Sequence, residues 1–252
     1  SGSSLWLLVC IRVSMAESEI CVRDNHSACL LHPDYLGQVS EAWFSPEYWG
    51  KLARPVSSGG RGGAWFVDAD GHQVVLRKYL RGGLMTRLSR SSYVFLGEQH
   101  VRSFAEFRLL NWLTELELPV PKPVAAWYRR MSPLHYQASI IIERIDNTAP
   151  LADLIGSLDD NGWRNLGVNL RRFHDAGVKH ADLNCFNVLV RGDEFFLIDF
   201  DKGRIVQSPA SAGWKSANLE RFARSLRKLA GAKTQERVWY FLMNGYNGSQ
   251  EA

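Results

Sequence analysis

Residues 180–201 read HADLNCFNVLVRGDEFFLIDFD, and this stretch decides the fold of the chain. Val188–Val190 is apolar and β-branched, so we predict a strand there. Phe195–Ile198 is a second apolar run, and the intervening 191–193 segment, which contains glycine, has turn composition. The pattern therefore predicts a short β-hairpin whose polar neighbours lie at its ends.

Three polar residues flank this hairpin. Asn187 precedes the outgoing strand and Asp199 follows the returning one, so antiparallel pairing brings both to the same edge, where they can share a metal ion. Asp182 lies five residues before Asn187, in the loop that leads into the hairpin. In kinases a loop Asp accepts the hydroxyl proton, while an Asn and an Asp hold magnesium on the ATP phosphates. The spacing predicts phosphoryl transfer, with Asp182 as catalytic base and Asn187 and Asp199 as magnesium ligands.

A glycine-rich segment, GGRGG at residues 59–63, lies between two predicted strands. Glycine lets a backbone approach phosphates closely, so Gly60, Arg61 and Gly62 are predicted to contact ATP. Glycine clusters also form ordinary turns. The position of this cluster between two predicted strands favours the functional interpretation. The segment lacks the Gly-Lys-Ser/Thr ending of a P-loop, which disfavours P-loop NTPases.

A cation is expected on the strand that carries the phosphate-binding lysine in kinases. Side chains alternate along a strand, so Arg77 and Lys78 point to opposite faces, and only one of them can serve. Counting positions from the apolar run places Arg77 where kinases carry the phosphate-binding lysine. Lys78, one position later, stays a candidate for the same role. Glu106, on an otherwise apolar helix face, needs a cationic partner because an unpaired buried charge is costly. Glu143, in the connector to the second half, joins this predicted ATP-binding set.

Composition and charge bound the function. With 252 residues, 46% hydrophobic and 22% charged, the chain is an ordinary globular protein. A net charge of +4 suits an anionic substrate, a nucleotide or an acidic membrane, and it disfavours a nucleic-acid-binding module. Arg81 is interpreted as either a cationic turn residue or a substrate-anion site, since guanidinium matches carboxylate and phosphate. The four cysteines form no Cys-x-x-Cys pair, which favours reduced thiols.

The order of predicted elements indicates an α+β, two-lobed, protein-kinase-like fold. Residues 15–145 should form a β-rich N-lobe with one long helix, Val101–Leu116. Residues 146–252 should form a mainly helical C-lobe that contains the short catalytic hairpin. Residues 1–14 are expected to be an expression remnant or an upstream extension, and their apolar run is far shorter than the ~20 residues that span a bilayer.

Seven motifs between about Trp43 and Leu229 resemble sequence motifs of one protein family. They are Gly60-Arg61-Gly62, LRKYLRGG at 76–83, SFAEF at 103–107, LPVPKP at 118–123, HADLN at 180–184, IDFDK at 198–202 and NLER at 218–221. Together they resemble the 3-deoxy-D-manno-octulosonic acid (Kdo) kinases of the lipopolysaccharide kinase group, which are distant relatives of protein kinases. The chain departs from ordinary kinases in having Arg where they have the phosphate-binding Lys. The lack of an Ala-Pro-Glu segment and of a long activation loop disfavours a regulated protein kinase.

The resemblance implies transfer of phosphate from ATP, with Mg²⁺, to the 4-hydroxyl of Kdo on a lipid A precursor. It gives Asp182 the role of catalytic Asp, Asn187 and Asp199 that of magnesium ligands, and Glu106 that of helix acid. It also implies peripheral attachment to the anionic cytoplasmic face of a Gram-negative inner membrane. The expected contacts are the basic segment 77–90 and the aromatic side chains of Trp43, Phe44 and Trp49.

Several other functions are compatible with the same motifs. A heptose kinase of the same pathway would carry the same motifs, and an atypical protein kinase or an antibiotic phosphotransferase would share the Asp-x-x-x-x-Asn loop. A nucleotide-binding pseudokinase scaffold is the rival outside enzymes, although intact Asp182, Asn187 and Asp199 disfavour it. The oligomeric state is not indicated by any sequence feature.

Overall fold

The computed structural model describes residues 19–56, 63–69, 71–80, 92–206 and 213–248. These residues form two compact units. The first contains the described residues up to Trp112 together with Lys122–Arg144, and the second contains Leu113–Pro121 and the described residues from Ile145 onward. The expectation for residues 1–14 concerns residues outside the described ranges. No helix within the described ranges is long and apolar enough to cross a membrane.

The first unit is built on an antiparallel sheet. Its strands are β1 (Ile20–Arg23), β2 (Ser27–Leu31), β3 (Ala53–Pro55), β4 (Ala64–Ala69), β5 (His72–Lys78), β6 (Tyr93–Val94), β7 (Pro123–Ser132) and β8 (His135–Glu143). The strand order is β1-β2-β7-β8-β5-β4-β3, with β6 added beside β8. The helices are α1 (Pro46–Trp49), which begins with proline, and α2 (Arg102–Glu115), whose last three residues belong to the second unit. The order places β5, with its candidate cation, between β4 and β8.

Alternation along β5 sorts its side chains into two sets. Val74 and Leu76 are 2% and 0% exposed and belong to the hydrophobic core.

Trp43, Phe44 and Trp49 belong to the same core, each with 9% exposure or less. The expectation that these three aromatics contact a membrane is therefore wrong, because the sheet already covers them.

The second unit is mainly helical. Its helices are α3 (Leu151–Leu154), α4 (Asp160–Asp175) and α5 (Gly213–Asn247), and its strands are β9 (Ala149–Pro150), β10 (Val178–Lys179), β11 (Val188–Arg191), β12 (Glu194–Leu197) and β13 (Arg204–Ile205). Helix α5 is interrupted at Gly231, where φ is 83°. Strands β11 and β12 form the predicted hairpin, with Val188 opposite Leu197. Its register determines which loop residues meet at the end of the hairpin.

Two glycines let α4 and the second half of α5 approach closely. A Cβ atom at Gly167 would lie 2.0 Å from the carbonyl oxygen of Leu242, and one at Gly245 would lie 2.0 Å from that of Arg164. Neither distance is compatible with a side chain, so the helix pair depends on both glycines. This pair packs behind the hairpin, where Asn169 of α4 donates from Nδ2 to the carbonyl of Phe195 at 2.8 Å.

Candidate phosphotransfer site

The loop before β11 is organised by its own side chains. Asn184 caps the short 3₁₀ turn Cys185–Asn187, because its Oδ1 accepts from the backbone N–H of Phe186 at 2.8 Å. The side-chain amide of Asn187 donates to the carbonyl of Asp182 at 2.8 Å, and that of Asn184 donates to the same carbonyl at 3.1 Å. Two amides therefore fix the backbone of Asp182, and the five-residue spacing predicted for Asp182 and Asn187 places them in direct contact.

His180 connects this loop to the returning strand. Its Nδ1 accepts from the backbone N–H of Asp182 at 3.1 Å, so the ring proton is on Nε2, which donates to the carbonyl of Ile198 at 2.9 Å. The side chain is buried, and burial lowers its pKa, which keeps the ring neutral. In the sequence, His180 stands out only as the first residue of the HADLN motif. The structure gives it a positioning role between Asp182 and the residue before Asp199.

Asp199 lies beside Asn187 at the end of the hairpin. The N–H of Ile198 donates to the carbonyl of Asn187 at 3.0 Å, which extends the strand pairing to the residue before Asp199. Asp199 has φ = 62°, a left-handed conformation that a non-glycine residue rarely adopts. Such backbone strain is concentrated at functional sites. The two residues thus occupy the shared edge that the sequence predicted.

The side-chain oxygen atoms of Asn187 and Asp199 suit a hard cation. Asn187 commits its Nδ2 to Asp182, which leaves its Oδ1 without a partner among the described residues. An amide oxygen and a carboxylate are the ligand types that Mg²⁺ takes, together with water and phosphate oxygens. No group of three or more His, Cys, Asp or Glu side chains with metal-binding geometry exists in the described part of the chain. Asn187 and Asp199 are the side chains that would hold a cation here.

The side chain of Asp182 has an ionic partner that the sequence did not reveal. Nη1 of Arg221, on α5, donates to Oδ1 of Asp182 at 3.0 Å. The two side chains remain 48% and 58% exposed. Asp182 therefore combines a fixed backbone with a carboxylate that a substrate can reach.

The first unit holds the candidate ATP-binding residues. Arg77 forms an ion pair with Glu106, whose side chain is 2% exposed, and the hydroxyl of Tyr79 also donates to Glu106. Lys78 points to the opposite face, where its Nζ lies 5.5 Å from the ring centre of Trp65. Arg77 is thus the residue that meets Glu106, as alternation along the strand favoured.

Glu143 has a structural partner. Its Oε1 accepts from the hydroxyl of Tyr35 at 2.8 Å, and burial together with this carboxylate raises the tyrosine pKa. Its backbone N–H donates to the carbonyl of Lys122 at 2.8 Å. Its predicted contact with ATP stays a prediction. The other predicted ligand-binding residues, Gly60, Arg61, Gly62 and Arg81, lie outside the described residues.

Comparison with known proteins gives consistent results. The family model described as "Lipopolysaccharide kinase (Kdo/WaaP) family" matches residues 46–246. A 3-deoxy-D-manno-octulosonic acid kinase of Stenotrophomonas maltophilia is 46% identical over 213 residues, which cover 84% of each chain. The structure of WaaP in complex with acyl carrier protein superposes with a TM-score of 0.56 at 15% identity, over 88% of this chain and 89% of that one.

An aminoglycoside-3'-phosphotransferase of type VIII gives a TM-score of 0.52 at 14% identity, over 79% of this chain and 89% of that one. At these identities the two structures report on fold alone. They confirm the prediction of an α+β fold of the protein-kinase-like class, with a β-rich N-terminal part and a helical C-terminal part.

Proposed function

Because the chain belongs to the lipopolysaccharide kinase (Kdo/WaaP) family, we propose that it transfers phosphate from ATP to the 4-hydroxyl of Kdo on a lipid A precursor. The family and its 46% identical relative show an ATP-dependent kinase that phosphorylates Kdo in lipopolysaccharide core biosynthesis. The choice of hydroxyl and the lipid-linked acceptor are the proposed part. The observation that carries the proposal is the arrangement of Asp182, Asn187 and Asp199 at one end of the hairpin. There the side chain of Asn187 donates to the carbonyl of Asp182, and its carbonyl accepts from the N–H of Ile198, the residue before Asp199.

Asp182 is proposed as the group that accepts the proton of the acceptor hydroxyl. A general base must present an oxygen within hydrogen-bond reach of that proton. The backbone of Asp182 is fixed by Asn184, Asn187 and His180, while its carboxylate is exposed. The acceptor can therefore reach an oxygen whose position is already determined.

Asn187 and Asp199 are proposed to hold Mg²⁺ through an amide oxygen and a carboxylate oxygen. Bound there, the ion would neutralise charge on the ATP phosphates during transfer. The hydrogen bond from Asn187 Nδ2 to the carbonyl of Asp182 uses the amide nitrogen and leaves the amide oxygen for the ion. The same contact sets the distance between the magnesium ligand and the proposed base.

Arg77 is proposed to contact the ATP phosphates, with Glu106 orienting it. The side chain is 19% exposed, and the buried carboxylate of Glu106 accepts from its Nη2. Arg suits a phosphate because its planar fork makes two parallel hydrogen bonds. Gly60, Arg61, Gly62 and Glu143 complete the proposed ATP site, and Arg81 remains a proposed anion contact.

We further propose peripheral attachment at the cytoplasmic face of the inner membrane. The acceptor is anchored in a bilayer, and the net charge of +4 favours an anionic surface. Sedimentation with anionic and zwitterionic liposomes tests this. Binding that is stronger to the anionic vesicles and that falls with added salt is expected, and equal binding to both would contradict it.

The function is tested by offering the protein ATP, Mg²⁺ and either a Kdo-linked or a heptose-linked lipid A precursor. Mass spectrometry should show one added phosphate on the Kdo acceptor, and phosphorus–proton correlation by NMR should place it on the 4-oxygen. Phosphate on the heptose acceptor alone would identify a heptose kinase instead. ATP hydrolysis with no phosphorylated acceptor would contradict the proposal.

A further inference from the structure

The first half of α5 is docked along the catalytic loop by side chains that bind its backbone. Asn218 Oδ1 accepts from the N–H of His180 at 3.2 Å, and its Nδ2 donates to the carbonyl of the same residue at 2.6 Å. About two turns later, Ser225 Oγ accepts from the N–H of Cys185 at 3.1 Å. These two contacts determine how α5 is rotated and how far along the loop it lies.

Arg221 lies between these two contacts on the same stripe of the helix. Positions three and four residues apart on a helix are neighbours on one face, so 218, 221 and 225 all face the loop. They meet residues 180, 182 and 185 in matching order. Phe222, which is 0% exposed, packs the adjacent position into the core. The placement of Arg221 against Asp182 is therefore built into the docking of the helix.

The guanidinium of Arg221 has hydrogen-bonding capacity to spare. Arginine carries five N–H donors. In the described part of the chain, the acceptor it contacts is Oδ1 of Asp182 and no other. Almost half of the side chain is exposed. A cation with a second edge open to solvent thus lies directly beside the carboxylate that would accept the proton of the acceptor hydroxyl.

The chemistry of the acceptor matches this edge. In an octulosonic acid, carbon 1 is a carboxylate attached to ring carbon 2, and the 3-deoxy position makes carbon 4 the first ring carbon after it with a hydroxyl. The carboxylate and the 4-hydroxyl are therefore separated by only two ring bonds. When the hydroxyl meets Asp182, a carboxylate at that spacing is within reach of a guanidinium that already touches Asp182. Guanidinium–carboxylate pairs are commonly bidentate, which fixes orientation as well as affinity.

We propose that Arg221 forms the subsite for the acceptor carboxylate and so selects an acidic sugar over a neutral heptose. This inference rests on the proposed function, since it takes Asp182 as the residue that meets the hydroxyl. Arg221 contacts substrate through one edge and holds Asp182 through the other. The negative charge of the sugar is thereby paired where it adjoins the carboxylate of Asp182.

The test compares two acceptors and three enzymes. The acceptors are a Kdo-linked lipid A precursor and the same molecule with its Kdo carboxylate converted to the primary amide. The enzymes are wild type, Arg221→Gln and Arg224→Gln. Arg224 is a matched control because it is exposed on the same helix and its recorded ion pair, at 3.9 Å, is with Glu220 rather than with the loop.

For wild type, kcat/KM should fall about 10- to 100-fold from the acid to the amide acceptor, the loss expected for a charge-assisted hydrogen bond. With the acid acceptor, kcat/KM of Arg221→Gln should lie below that of wild type by a similar factor. With the amide acceptor, the variant should show the same kcat/KM as it does with the acid. Its KM for ATP should change less than about twofold, within the spread of a binding site that has lost no contact. Arg224→Gln should match wild type with both acceptors.

Other outcomes overturn the inference. Equal kcat/KM values of wild type with the acid and the amide acceptor would rule out a carboxylate subsite. If Arg221→Gln loses as much kcat/KM from acid to amide as wild type does, Arg221 only positions Asp182. A raised KM for ATP would assign Arg221 to the nucleotide. Wild type that phosphorylates neither acceptor would instead refute the proposed function itself. If Arg221→Gln fails to fold, Arg221→Lys keeps the charge beside Asp182 but loses the fork, and it should still discriminate less than wild type.

Discussion

Replacing Arg77 by alanine should destabilise the first unit and impair ATP use together. Glu106 is 2% exposed and Arg77 is 19% exposed, so their ion pair is buried rather than superficial. Removing one partner of a buried pair leaves an uncompensated charge, which costs about 3–5 kcal/mol. The hydroxyl of Tyr79 still donates to Glu106, so we expect the lower end, about 3 kcal/mol. For a protein of this size that corresponds to a fall of about 6–12 °C in melting temperature.

The neighbouring cation provides the control. Lys78 contacts the ring of Trp65 instead of an acid, and a cation–π contact at a partly exposed site contributes only about 0.5–1 kcal/mol. Lys78→Ala should therefore melt within a few degrees of wild type and keep its KM for ATP. Arg77→Ala should raise the KM for ATP more than about tenfold, because a charged hydrogen bond to phosphate is lost.

A double variant separates stability from ATP binding. Glu106→Gln removes the carboxylate charge that Arg77 balances in wild type, so the double variant should recover most of the lost melting temperature by calorimetry. It should not recover ATP affinity, since the cation is still missing. A double variant that melts as low as Arg77→Ala, or a damaging Lys78→Ala beside a neutral Arg77→Ala, would refute this reasoning.

Three further predictions follow from the second unit. Asp199→Asn should raise the Mg²⁺ concentration needed for half-maximal turnover about tenfold or more, because a carboxylate ligand becomes a neutral amide, whereas Asp193→Asn in the exposed turn of the same hairpin should leave it unchanged. Burial lowers the pKa of His174 to about 4 from 6.5, so the unfolded chain binds the extra proton below pH 6.5 and the folded protein loses stability as pH falls. Denaturant titrations of His174→Gln should show roughly 1.5 kcal/mol less loss between pH 6.5 and 5 than wild type, and an unchanged pH slope would contradict the assignment. Gly167→Ala should lower the free energy of unfolding by at least about 2 kcal/mol, since its Cβ would lie 2.0 Å from the carbonyl oxygen of Leu242, while Gly156→Ala, which meets nothing within 4 Å, should be nearly neutral.

Local patterns predicted the parts of the fold that depend on local physics. The hairpin follows from two β-branched or aromatic apolar runs around a glycine turn, and its register put Asn187 next to Asp199. The apolar runs Val124–Trp127 and Ala138–Ile142 predict strands that are shorter than β7 and β8, because the outer ends of both strands are exposed and carry polar residues. Periodicity detects the buried portion of a strand and not its solvated continuation.

Tertiary contacts between distant segments explain what sequence reasoning missed. Trp43, Phe44 and Trp49 are predicted to contact a membrane, yet the sheet buries them. The contact between Arg221 and Asp182 joins residues 39 positions apart and depends on the docking of α5, which no spacing rule specifies. The link from His180 to Ile198 depends likewise on the hairpin folding back onto the loop.

Transfer of phosphate from ATP to the Kdo-linked acceptor by wild type and by Asp182→Ala tests the central claim most directly. Wild type should give the phosphorylated acceptor by mass spectrometry. Asp182→Ala should bind nucleotide as wild type does but form product about two to four orders of magnitude more slowly, as expected when a positioned acid–base group is removed. A wild-type protein that leaves the Kdo acceptor unmodified, or an Asp182→Ala variant that phosphorylates it at an undiminished rate, would contradict the account.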